Sequence, residues 1–177
     1  MKYVNSRELA YCGLFGAAAL LLPTLFHLVH LGRVFMPMYL PLMALAFFVR
    51  PVPAAITAAV VPVLSAALTG MPPFFPPVAF TMVFELAVMG GLVAWLRQRF
   101  PMLHELVVLV PVLVLGRVLY VASVYVVARL VELPPKFLAG VSLLSGWPGV
   151  VLMIVVVPFV ARVKRSIDRD ALGAERP

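Results

Sequence analysis

Charge is scarce in this sequence. Asp, Glu, Lys and Arg make up 12% of its 177 residues, about half the share of an ordinary soluble domain. Phosphate-binding glycine loops, H-E-x-x-H and C-x-x-C are all missing, which removes the usual nucleotide, zinc-hydrolase and dithiol signatures. The one cysteine, Cys12, excludes an internal disulfide. Near the start of an apolar run, it reads as a packing residue rather than a reactive thiol. No polar stretch is long enough to fold alone; the longest is the tail after Ala161. There is no long-period repeat and no low-complexity segment.

What is present is apolar surface. The chain is 64% hydrophobic, with a mean hydropathy of +1.10. Several runs approach or exceed the ~20 residues that cross a bilayer as a helix. The expected fold is all-α: one polytopic transmembrane domain over residues 1–177. Its six helices are expected at about 9–29, 36–50, 53–69, 78–96, 105–130 and 142–161, followed by a tail over 162–177. Lys2 and Arg7 precede the first run, as in a signal peptide, but five more spans follow and no small-residue cleavage site is evident. It reads as a retained first helix. Arg50, Pro51, Val52 and Pro53 mark a tight turn between the second and third segments, because a residue before proline resists helical geometry.

The net charge of +7 does not point to nucleic acid. The basic residues stand in short groups at helix ends, which is how membrane proteins encode orientation. Ten of the fourteen fall on one side: Lys2, Arg7, Arg50, Arg97, Arg99, Arg162, Lys164, Arg165, Arg169 and Arg176. Arg33, Arg129 and Lys136 fall on the other, and Arg117 lies within the membrane. Both termini are therefore expected in the cytoplasm. The outer loops are then about His27–Pro37, Gly70–Pro77 and Val131–Gly140. The second reads G-M-P-P-F-F-P-P, a stiff stretch because proline fixes φ. Met71, Phe74 and Phe75 in it, with His30 in the first, suit a lid over a cavity or a seat in the headgroup zone. The tail is expected to extend the last helix past the membrane and meet anionic lipid.

Two ionisable residues have no easy route to water. Glu85 interrupts the run Val78–Trp95, and Arg117 interrupts Leu106–Ala128. A charge at the bilayer centre costs at least about 2.5 kcal/mol, so such residues mark a site, a pathway or a buried pair. At 1.5 Å per residue, Glu85 lies roughly 10 Å from Val78 and Arg117 roughly 18 Å from Glu105. The two depths are compatible with a salt bridge, with a ligand-facing role, or with both. Tyr120 shares the face of Arg117 at i+3. Trp147, flanked by Ser145, Gly146 and Gly149, suits a membrane-boundary belt or a stacked ligand ring. His27 and His30 have metal-like spacing but no third ligand beside them, so no metal or other cofactor is expected. Gly13 and Ala17 form a small-x-x-x-small step, fit for close helix packing within the chain or for docking a partner. No nucleophile–base set converges, so an enzyme is not expected.

Some of these stretches look familiar as motifs. They are F-M-P-M-Y-L-P over Phe35–Pro41, L-T-G-M-P-P over Leu68–Pro73, F-E-L at Phe84–Leu86 with Gly90 and Gly91, and G-R-x-x-Y at Gly116, Arg117 and Tyr120. With them, the chain resembles the substrate-binding S components of energy-coupling factor (ECF) vitamin transporters, in a group of uncharacterised substrate. Tyr39 stands where that group is expected to carry His. The resemblance implies a prokaryotic cytoplasmic membrane and capture of a vitamin or vitamin precursor from outside. It also implies two partners: a transmembrane coupling protein and a pair of ATPases. Substrate-binding residues are then expected at Glu85, Arg117, Tyr120, Tyr39 and Trp147, with Gly13 and Ala17 as the docking step. The competing expectation is a small scaffold membrane protein with a buried Glu–Arg pair and no ligand.

Overall fold

A computed structural model describes residues 5–28, 36–73, 78–130 and 146–174. Among the described residues there are six helices: α1 (Ser6–Leu28), α2 (Tyr39–Leu45), α3 (Pro51–Thr69), α4 (Val78–Arg99), α5 (Glu105–Leu130) and α6 (Trp147–Ala174). All except α2 are long and apolar enough to cross a bilayer. Helices are what lipid demands, since each backbone donor must find its acceptor within the segment. The protein is accordingly an all-helical, multi-pass membrane protein.

Local chemistry sets the ends. Asn5 and Glu8 cap α1 reciprocally: Arg7 N–H donates to Asn5 Oδ1 and Asn5 N–H to Glu8 Oε2, both at 3.4 Å. Arg50, the residue before a proline, is extended at φ −69°, ψ 163°, and Pro51 opens α3, where its missing N–H is no loss. Gly70 closes α3 in the left-handed region at φ 72°, with its N–H on Ala66 O at 3.0 Å. The last helix runs on through the basic tail to Ala174, as expected.

The expected second span is helical over only part of its length. Residues 36–50 hold a helix of seven residues, Tyr39–Leu45, too short to cross a bilayer as helix alone. Seven residues rise about 10 Å, a third of the hydrocarbon thickness. Met36 is left-handed at φ 46°, and turns replace helix from Ala46 to Val49. Instead of facing lipid, α2 is the centre of the core. Tyr39, Leu42, Met43, Ala44 and Leu45 are buried, and α2 packs on α1, α3, α4 and α6. A helix that is apolar all round is at home only in such a position or in lipid.

Around this plug, α3 and α4 form the tightest pair. A Cβ on Gly90 would stand 3.3 Å from Ala58 Cβ, and one on Gly91 3.3 Å from Ala55 Cβ. Small residues let two backbones approach closely where lipid supplies no hydrophobic drive. α5 packs beside α4 and α6, while α1 lies outermost against α2 and α3.

The start of α1, the α2–α3 turn and the Arg162–Lys164 part of α6 share one end of the bundle. Glu8 grips Arg50 there. Tyr11 and Phe48 stack edge-on at 5.1 Å, and Lys164 Nζ donates to Phe47 O at 3.0 Å. Arg162 Nη2 lies 3.1 Å from His104 Nε2 at the foot of α5.

Candidate functional site

Helical phase turns Glu85 inward. Thr81, Glu85 and Met89, four apart on α4, are buried, while Phe80 and Phe84 are exposed. Glu85 is 0% exposed, and its Oε2 accepts the Tyr39 hydroxyl at 2.6 Å. Tyr39 opens α2, so the buried plug carries a phenol to the level of the carboxylate.

On α5, Val112, Leu113 and Gly116 face the core while Val114 and Val118 face out, which leaves Arg117 half-buried. Its Cζ lies 5.8 Å from the centroid of the Tyr39 ring, within cation–π range. Its Nη2 contacts Met36 Sδ at 2.6 Å. Two glycines make room. A Cβ on Gly146 would stand 2.6 Å from Arg117 Nη1, and one on Gly116 would overlap the Met89 side chain.

Glu85 and Arg117 form no direct ion pair. Tyr39 stands between them, bonded to one through its hydroxyl and facing the other with its ring. Each charge keeps one buried atom with no hydrogen-bond partner among the described residues, Glu85 Oε1 and Arg117 Nη1. A buried polar group left unpaired costs about 1–3 kcal/mol, and more when it is charged. One acceptor and one donor of opposite sign thus stand unused around a single aromatic ring.

The other expected residues are placed as follows. Tyr120 is half-buried one turn above Arg117. Trp147 is 62% exposed on the outer surface, away from this cluster, although its neighbour Gly146 belongs to it. Met71 is 49% exposed beyond α3, and its carbonyl accepts the Ser65 hydroxyl at 2.7 Å. Gly13 and Ala17 lie on the exposed face of α1 beside Leu14 and Leu21, whereas Gly16 is the small residue that packs inward, against Thr57 and Val61. His30, Phe74, Phe75, Ser145 and the loop 131–140 lie outside the described residues. Among the described residues no three His, Cys, Asp or Glu side chains gather as a metal site.

Sequence reasoning missed the roles of Met36 and Gly146. Met36 was visible only as a member of the F-M-P-M-Y-L-P stretch, and Gly146 only as a small residue beside Trp147. Their seats against the guanidinium depend on a left-handed backbone and a close helix approach, which no local pattern announces. Compared with protein-family models, curated proteins and solved structures, the chain matches none of them.

Proposed function

We propose that the protein is a membrane-embedded receptor for a small molecule, with Tyr39, Glu85 and Arg117 as its binding cluster. More specifically, it is the substrate-capture subunit of an ECF-type vitamin uptake system, acting with a transmembrane coupling protein and two ATPases. The observation that carries this reading is the pair of buried, unpartnered atoms, Glu85 Oε1 and Arg117 Nη1, on either side of Tyr39. A scaffold gains nothing from two buried charged groups that each leave an atom unpartnered. A receptor does, because a ligand that satisfies both recovers what the empty cluster forgoes.

The chemistry defines the ligand class. Arg117 takes a carboxylate or phosphate, and Glu85 takes an N–H or O–H donor. Tyr39 offers a ring face between them. A flat heterocycle carrying an acidic group fits this set and agrees with a vitamin-like substrate. The motif resemblance supplies the transport context. In that context the basic end of the bundle faces the cytoplasm, and the exposed Gly13–Ala17 face of α1 docks the coupling protein.

Native mass spectrometry of the gently purified protein tests the reading. A retained metabolite, lost in both Glu85→Ala and Arg117→Ala, is the expected result. Co-purification in the native host should bring the coupling protein and ATPases. If no small molecule is retained and neither partner follows, the protein is a scaffold and the receptor reading fails.

A further inference from the structure

Beside the Tyr39 ring, the Arg117 guanidinium touches a thioether, with Nη2 at 2.6 Å from Met36 Sδ. Sulfur is a weak acceptor, whereas the guanidinium fork matches the oxygens of a carboxylate or phosphate. The acid-binding group of the cluster thus holds a poor partner supplied by its own chain. Resting on the receptor reading above, we infer that Met36 is an affinity-setting residue of the site. Its thioether occupies Arg117 in the empty receptor, competes with the acid group of the small molecule, and is displaced when that group binds.

The backbone aims the side chain. Met36 lies in the left-handed region at φ 46°, the one non-glycine residue to do so among the described residues. That conformation is costly for a residue with a Cβ and free for glycine. The Met36 carbonyl accepts the Tyr39 N–H at 3.0 Å, which ties this backbone to the start of α2. The side chain therefore reaches Arg117 from a fixed and strained base, and its sulfur contact offsets part of that strain.

The same side chain crowds the unpartnered nitrogen. A Cβ on Gly146 would stand 2.6 Å from Arg117 Nη1 and 2.7 Å from Met36 Cε. Guanidinium and methyl thus border one narrow space, and an acid group reaching Nη1 arrives beside the thioether. Met36 is also the member of the cluster most able to leave. It is half-buried at the edge of the core, and methionine repacks readily through its three rotatable bonds. Tyr39 and Glu85 are buried and bonded to each other. Displacement exchanges a weak N–H···S contact for charged N–H···O bonds, which are the stronger kind.

The probe is 4-aminobenzoate, which carries a carboxylate for Arg117, a ring for the face of Tyr39 and N–H donors for Glu85. Titration calorimetry on the full chain, purified in detergent and washed free of metabolite, compares wild type with two variants. Met36→Gly removes the competitor and adopts φ 46° without strain. It should bind the probe roughly fivefold more tightly, because the fraction of receptors with Arg117 occupied no longer lowers the apparent affinity. Met36→Gln offers Arg117 an amide oxygen, a better acceptor than sulfur, and should bind roughly fivefold more weakly by the same rule. In an Arg117→Ala background, Met36→Gly should give no gain, since nothing is left to compete for. Weaker binding by Met36→Gly than by wild type makes Met36 a wall of the site and overturns the inference. Equal binding in all three proteins overturns it as well, as does a gain that persists without Arg117 or an absence of probe binding throughout. The receptor reading is decided separately, by the metabolite seen in native mass spectrometry and its loss in Glu85→Ala and Arg117→Ala. A retained metabolite together with a flat Met36 series removes this inference alone.

Discussion

Two of the acid–base clusters among the described residues treat their charges in opposite ways. At the basic end, Glu8 and Arg50 meet directly, Nη2 to Oε2 at 2.8 Å, with Nε at 3.0 Å from both carboxylate oxygens. The Arg50 backbone N–H adds a further bond to Oε1 at 3.0 Å. Both carboxylate oxygens are satisfied, and the side chains are 14% and 34% exposed. In the bundle interior, Glu85 and Arg117 are kept apart by Tyr39 and each has an atom without a partner. Burial raises the cost of an unmet charge, so the deeper cluster should be the better satisfied if both were structural. The reverse is observed. The end cluster is a clasp between α1 and the α2–α3 turn, and the interior cluster is arranged for a third party.

The largest effect is expected where the orphaned atoms are removed. Glu85→Ala and Arg117→Ala should each weaken ligand binding by roughly 10- to 150-fold, the range for a hydrogen bond to a charged group. Titration calorimetry with the retained metabolite measures this. Membrane yield should fall far less than affinity. If both variants fold poorly and the folded fraction binds like wild type, the interior cluster is a clasp too and the contrast disappears.

Next comes Gly146→Ala. Its Cβ would arrive 2.6 Å from Arg117 Nη1 and push the guanidinium off its seat. Affinity should drop about tenfold, the value of one misplaced charged hydrogen bond. Thermal stability should change little, since the atoms the Cβ meets, Arg117 Nη1 and Met36 Cε, are the far ends of flexible side chains. Wild-type affinity in this variant would show that Arg117 points elsewhere when ligand binds. A smaller loss, about fivefold, is expected for Tyr39→Phe, which deletes a hydroxyl donor worth ~1 kcal/mol and leaves the ring beside Arg117. Stronger binding in that variant would mean that the hydroxyl competes with the ligand for Glu85.

The contrast between clusters was only partly legible in the sequence. Glu85 and Arg117 stood out because an isolated charge in a lipid-length run is expensive wherever it lands. Five long helices were legible because apolar length, prolines and terminal charges bound them within a few residues. The segment 36–50 was not, because hydropathy measures distance from water and reads the same for lipid contact and for a buried core. Only packing, with Met36 at φ 46° and turns after Leu45, shows that α2 is a plug. Glu8 and Arg50 were legible as orientation signals at helix ends. Their bond links residues 42 apart, and nothing local encodes that.

That bond gives the smallest expected effect and the cleanest control. Glu8→Gln keeps size and one acceptor but removes the charge that faces Arg50. A partly exposed ion pair contributes little in water because solvent screens it and two long side chains must be ordered to form it. The melting temperature should fall by only a few degrees, and added salt should shrink the difference between wild type and variant as the Debye length shortens. Metabolite affinity should stay at the wild-type value, because the clasp lies at the far end of the bundle from Arg117. α1 reaches the interior cluster only indirectly, through α2 and α3, and the Tyr39 of α2 is held from the other side by Glu85. A fall in affinity comparable to that of Glu85→Ala would mean that α1 sets the position of the plug, and that the two clusters are parts of one device rather than a clasp and a receptor.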